Sequence, residues 1–338
     1  MGKQLFSSSE ADRRAEDEMQ AVLDRHLPGR KPVSIDDYDW QAIRPEAVDQ
    51  DMLDAMTFVT LVECNPDAPA QKLLDAADRG PAPWLRRFIE QTWLPEERMH
   101  HAPYKEYLIR SGLVDADTLD FQIEGVRSRG FIHGEGYTPL QAATYGWIQE
   151  LITWRFYDAM HSYLVGGSGG QSRRGLERSS PGLARGTPHG GSEETLPADP
   201  VLLRIVADVA KQENFHRHVY LTGAKTILKY APHRKGEVVA AMAEFLMPGH
   251  HMVPDLQPLA GQWASKFNFQ FRRVLHDLCE GLVELTGYNG LGQATVLYAS
   301  RHKLPWFVNM VVRPLAPLAR TYGSPLNYLG GRLLARLV

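Results

Sequence analysis

Cysteine is scarce in this chain. Its 338 residues include two, Cys64 and Cys279, far apart and never in a Cys-x-x-Cys pair. That argues against zinc ribbons, cysteine-held iron–sulfur clusters and a disulfide framework. A reducing cytoplasm is the compartment expected. Long hydrophobic runs are missing too: no stretch reaches the roughly 18 apolar residues that a bilayer span needs, so no transmembrane segment is expected. Neither sign of charge is in excess, with 37 Lys and Arg against 40 Asp and Glu. This gives no support to nucleic acid as a partner. No segment alternates apolar and polar residues with period two, so strands are not expected. The opening residues, from Ser7-Ser8-Ser9-Glu10, have neither a secretory apolar core nor the Arg-rich, acid-poor character of a transit peptide. Phe6 stands where a myristoylation signal needs Ser or Thr.

What is present is helical spacing. With 43% hydrophobic residues the chain has ample material for a core. A first helix is expected from Ser9 to about His26, stopped by Pro28-Gly29. Residues 32–44 read as irregular. Glu46 to Val62 carries Met52, Met56, Val59 and Val62 on one face. Asn65-Pro66-Asp67 then disturbs the backbone. Pro83 to Arg110 reads as one long helix, kinked by Pro95 just before Glu97. Further helices are expected over 115–128, 138–165, 199–230, 235–246 and 260–285, the one over 199–230 opening on an Asp199 cap with Pro200 at its first position. From Gln293 onward the chain is apolar and interrupted by prolines. The expectation is an all-α single domain over 1–338. Gly166 to Pro197, rich in Gly, Ser and Arg, reads as a disordered insertion within it, unable to bury enough surface to offset its ordering entropy. Residues 287–338 read as a C-terminal extension.

Two segments spell Glu-x-x-His: Glu97-Arg98-Met99-His100 and Glu213-Asn214-Phe215-His216. On a helix, positions i and i+3 share a face, so each pair presents a carboxylate and an imidazole together. Two such pairs, each joined by a Glu from a further helix, make a di-iron or di-manganese site in a four-helix bundle. About one match to so short a motif is expected by chance, so the context matters. Both lie inside long amphipathic helices. Glu150 is a lone acid among Ile148, Leu151, Ile152 and Trp154, and a buried carboxylate needs a partner. Its alternatives are a surface acid or a partner for Arg155. Glu63, ending an apolar run, is the best candidate for the fourth acid; its alternative is a helix-end carboxylate. Glu96 and His101 face about 100° from the favoured ligands and read as supporting or solvent-facing residues. His161 and His218 read as satisfied polar groups, adjacent His250 and His251 as divergent, and Trp84, Trp93, Trp147 and Trp154 as core. Hard oxygen donors with one histidine per metal suit iron that activates O₂ better than they suit hydrolytic zinc.

At these residues the chain resembles the soluble acyl-acyl-carrier-protein desaturases, a ferritin-like di-iron family. The similarity runs from about residue 45 to about 255, outside the insertion. It is carried by Glu96-Glu97-Arg98-Met99-His100 with Tyr104, Tyr107 and Leu108, by Glu150-Leu151-Ile152-Thr153, by Glu213-Asn214-Phe215-His216, and by Met247-Pro248-Gly249-His250-His251-Met252. Leu61-Val62-Glu63-Cys64-Asn65 lies where the first ligand is expected. The resemblance implies a ferritin-like four-helix bundle with flanking helices. It implies two Fe(2+) ions held by Glu63, Glu97, His100, Glu150, Glu213 and His216, with Thr153 assisting proton delivery. It also implies an acyl carrier protein bearing the substrate, a ferredoxin-type electron donor, a homodimer, and removal of two hydrogens from adjacent methylenes of a saturated fatty acyl chain. Lys225, Lys229, Arg234 and Lys235 are a candidate rim for an acidic carrier, or an ordinary solvated face. The chain departs from the family at Gln212 and Phe215, where an acid and an Arg are usual. These departures leave open an oxygenase that hydroxylates its substrate. A non-catalytic ferritin-like metal-binding scaffold is the reading from a different class.

Overall fold

A computed structural model describes residues 8–129, 131, 134–166, 198–247, 266–267, 269 and 271–287. Among these residues there is no strand; the fold is all-α. The expectations for 167–197, for His250-His251 and for the chain beyond 287 lie outside the described residues. No described helix is long and apolar enough to cross a membrane.

Four helices form the core: α2 (Gln50–Val62), α5 (Leu94–Arg110), α7 (Pro139–Gly166) and α8 (Pro200–Tyr230). Around them lie α1 (Ser8–His26), α3 (Asp67–Arg79), α4 (Pro83–Phe88), α6 (Ala116–Arg127), α9 (Lys235–Ala243) and α10 (Phe271–Thr286). Helices α7 and α8 pack along their length and run antiparallel. The first half of α7, Leu140 to Leu151, shares a cluster with Val219 to Leu228, whereas Tyr157 to Leu164 shares another with Val201 to Val209. The end of α2 meets the start of α5, so that pair is antiparallel as well. Glycine lets one approach happen: a Cβ at Gly223 would lie 2.3 Å from the Trp84 ring, so only a bare backbone lets α8 sit against α4.

The caps explain the boundaries. Asp199, fully buried, accepts from the amides of Val201 and Leu202 and from the Tyr107 hydroxyl at 2.6 Å, and Pro200 follows at the first helical position. The same carboxylate takes the Arg44 amide. Two expectations need correction. Asn65-Pro66-Asp67 does more than interrupt: Pro66 is the N-cap residue of a further helix, α3, that buries Ala70, Leu73, Ala76 and Ala77 on one face. Proline is tolerated there because the first helical amides have no partner in any case. The kink expected at Pro95 takes the form of a π turn, Ile89–Trp93, joining α4 to α5. The Leu94 amide reaches back five residues to the Ile89 carbonyl, and the wider turn admits the proline ring without breaking the rod.

The buried side chains divide into two apolar clusters. One holds Met19, Trp84, Phe88, Trp93, Trp147 and Tyr220; the other holds Met56, Val59, Tyr104, Tyr157 and Val209. Along α5 and α8 alike, the helix passes from one cluster to the other through its Glu-x-x-His segment. A polar layer therefore lies between two dry ones, in the middle of the bundle.

Candidate metal centre

That layer contains all six residues singled out in the sequence. Glu63, Glu97, His100 and Glu213 bring ligand atoms within 4.8 Å of one another, and so do Glu97, Glu150, Glu213 and His216. The two groups share Glu97 and Glu213. All but Glu63 are buried, with His100 and His216 at 0% exposure. Glu63 is the C-cap residue of α2 and borders a cavity. The two imidazoles stack, ring centroids 5.9 Å apart.

The outer nitrogens of both imidazoles are occupied. His100 Nε2 lies 3.0 Å from Gln212 Oε1. The Gln212 amide nitrogen donates to the Lys31 carbonyl at 3.0 Å, which fixes which end of the amide faces the histidine. His216 Nε2 lies 2.9 Å from Glu96 Oε2. Each Nε2 therefore carries a proton, and each Nδ1 turns inward, where without a proton of its own it offers a lone pair to a metal. His100 Nδ1, His216 Nδ1, Glu97 Oε1 and both Glu213 oxygens are buried without a hydrogen-bond partner. His100 Nδ1 is 2.9 Å from a Glu213 oxygen and His216 Nδ1 is 3.0 Å from a Glu97 oxygen, yet neither contact has hydrogen-bond alignment. Buried polar atoms are rarely left in this state, and several converging on one point fit a cation as the common partner. These buried Glu and His groups could hold metal.

Supporting contacts fix the remaining acids. Trp93 Nε1–H donates to Glu150 at 2.8 Å and the Tyr157 hydroxyl to Glu63 at 3.0 Å. Arg30 grips both oxygens of Glu96, at 3.0 and 2.6 Å, and lies over the Phe215 ring at 3.6 Å. A guanidinium from the loop after α1 thus stands beside the position in α8 where the sequence offers Phe215. Arg155 pairs with Asp277 at 2.5 Å, so it does not serve as the partner of Glu150.

Crowding shows in the proton affinities. Burial, then the charge of Glu150, pushes Glu97 up to about 7. Burial, then the charge of Glu97, holds Glu63 and Glu213 well above the usual carboxylate range. Burial, then the neighbouring His216, takes His100 down to about 3. Burial opposes charge on His216, but Glu96 and Glu97 outweigh it and lift the imidazole to about 9. Glu97 acts on His216 through nearness of charge, its oxygen lying 3.0 Å from Nδ1 without hydrogen-bond alignment. Burial also opposes the charge of Glu96, and His216 and Arg30 outweigh it, leaving Glu96 below its ordinary value.

A cavity of about 30 Å³ opens on the cluster, bordered by Glu63, Trp93, Glu97, Thr153, Glu213 and Met247. It has room for a water or a diatomic molecule. Thr153 reaches it, its hydroxyl donating to the Gln149 carbonyl at 3.1 Å. Glu96 belongs to the support of the cluster, as one of its sequence readings had it. His101, half-buried, and His161 stand outside both ligand groups, and His218 is exposed. Trp84, Trp93 and Trp147 are core residues, while Trp154 lies part-buried beneath Arg155 and Arg217. The candidate rim is internally paired: Lys225 with Glu284, Lys229 with Glu18, Arg234 with Glu237, and Lys235 with the Thr286 carbonyl. Sequence reasoning missed Arg30, Tyr157 and the indole donor of Trp93. Trp93 had a signal, lying one turn before Glu97 on the same face; Arg30, 66 residues from Glu96, had none.

No protein-family model matches the chain, and no curated protein matches it significantly.

Proposed function

We propose that this protein is an O₂-dependent di-iron oxidoreductase that desaturates a saturated acyl chain carried on an acyl carrier protein. The observation that most supports it is the division of six ligands into two overlapping groups with Glu97 and Glu213 in common. Charge supports two ions as well. The four acids bring four negative charges, the histidines present neutral lone pairs inward, and Glu96 cancels Arg30. Two divalent cations bring the layer to neutrality, which a low-dielectric interior demands. The carboxylate-rich donor set favours iron or manganese over zinc.

When bound, paired irons supply the reduction of O₂. The balance is a saturated chain, O₂, two electrons and two protons giving an unsaturated chain and two waters. The chain's own residues hold the pieces in place. Glu97 and Glu213 would serve both ions, Glu63 with His100 and Glu150 with His216 would complete each half, and Trp93 and Tyr157 keep two of these acids from swinging away. Thr153, at the cavity, is placed to pass a proton inward. The two apolar clusters keep bulk water from the layer. The resemblance supplies a ferredoxin-type donor and a homodimer, and the scarcity of cysteine supports a reducing cytoplasm. An acidic carrier docking at Lys225, Lys229 and Arg234 would have to exchange their present acidic partners.

The test is reconstitution with Fe(II), then incubation with acyl-carrier protein, O₂ and a reducing system. Loss of two hydrogens from the acyl chain, by mass, supports desaturation. Gain of an oxygen atom supports hydroxylation, the second reading, which the neutral Gln212 beside His100 favours. Failure to retain iron removes both and leaves a helical scaffold.

A further inference from the structure

The two halves of the centre are built differently. His216 rests on an anion: Glu96 accepts from its Nε2, and Arg30 clamps that carboxylate in place. His100 rests on a neutral amide, Gln212, itself tied to a backbone carbonyl. An anionic acceptor pushes electron density through the imidazole and strengthens Nδ1 as a donor, and a neutral one does so less. The carboxylates differ in the same sense. Glu150 lies mid-helix at 1% exposure with an indole donor, whereas Glu63 is the C-cap residue of α2, part-exposed beside the cavity.

We propose that the halves differ in affinity: the Glu150–His216 half holds its ion tightly, the Glu63–His100 half holds an exchangeable one, and Glu96 and Gln212 are the positioning residues that set the difference. This rests on the dinuclear reading above. It means that the centre fills in a fixed order and that the ion nearer the cavity mouth is the one replaced.

The test is titration of the metal-free full chain with cobalt(II), followed by calorimetry and visible absorption. Wild type should bind in two phases with dissociation constants at least about tenfold apart. His100→Ala should keep the tight phase and His216→Ala should lose it. Gln212→Glu should tighten the weak phase by roughly 10–100-fold, and Glu96→Gln should weaken the tight phase by a similar factor. Circular dichroism checks each variant; if Glu96→Gln unfolds because Arg30 is stranded, Gln212→Glu alone decides. Two equal phases in wild type, or a weak phase that Gln212→Glu does not move, overturns the proposal and leaves the dinuclear reading standing. No cobalt bound by wild type overturns both.

Discussion

Replacing Glu150 by glutamine should have opposite effects on the metal-free and metal-loaded protein. Without metal, the Glu150 carboxylate adds charge to a layer whose ligand atoms lie within 4.8 Å of one another. Two unit charges at about that separation repel by roughly 3 kcal/mol at an effective dielectric near 20. Glu97 is lifted to about 7, so the acids share some protons at neutral pH and only part of that repulsion is expressed. The amide would still accept from Trp93, and its new N–H groups would face the unpartnered oxygens of Glu213. A gain of about 1–3 kcal/mol is expected, or a melting temperature roughly 2–8 °C higher. With metal the order reverses. An ion at a hundredfold excess over its dissociation constant stabilises the fold by about 2.7 kcal/mol. Glu150→Gln should forfeit most of that for one ion. Melting curves of both proteins, with chelator and with anaerobic Fe(II), should therefore cross. A metal-free variant that melts below wild type would refute the repulsion argument. A loaded variant that gains as much as wild type would refute the role of Glu150 as a ligand.

Other outcomes follow from the same geometry. The metal-free protein should lose stability as pH rises from about 6.5 to 9. His216, raised to about 9, contributes stability that is lost across that window. Glu97, raised to about 7, contributes at its lower end, and the raised Glu63 and Glu213 act in the same direction. His100, lowered to about 3, is neutral in the folded state throughout and opposes the fall only near pH 6.5, where the unfolded imidazole is still part-protonated. Urea midpoints taken across this range should fall; a flat or rising series counts against it. Gly223→Ala should cost about 1–3 kcal/mol or more, because the new methyl meets the buried Trp84 ring, and an unchanged urea midpoint would show that the ring moves freely. Asp199→Ala removes a helix cap and strands the Tyr107 hydroxyl, so a loss of about 2–4 kcal/mol is expected by the same measurement, with a loss under half a kcal/mol as the contrary result.

The six clustered positions were legible because a group of acids and histidines able to hold metal imposes a spacing on each helix. Glu97 with His100 and Glu213 with His216 repeat at three residues, and Glu150 interrupts an apolar stripe. The helices themselves were legible for a related reason, since burial writes its period into α7 and α8. Helix α3 is hard to read because a proline such as Pro66 disturbs the chain on one side and opens a helix on the other, depending on where the apolar pattern continues. Arg30 could not be read at all. Its pairing with Glu96 joins residues 66 apart and depends on how the loop after α1 folds back. Gln212 was seen in the sequence as the loss of an acid; its carbonyl oxygen still accepts from His100, because hydrogen-bond capacity and charge are separate properties.

The five-residue turn at Ile89–Trp93 lets one rod meet two sets of angular demands. Upstream, Trp84, Leu85 and Phe88 face the core beneath α1; downstream, Glu97 and His100 face the centre of the bundle. A chain shorter by a single residue here would swing one half by about 100° relative to the other. The bulge acts as a phase adjuster, so substitutions that retune the hydrophobic upstream half need not rotate the acids out of alignment.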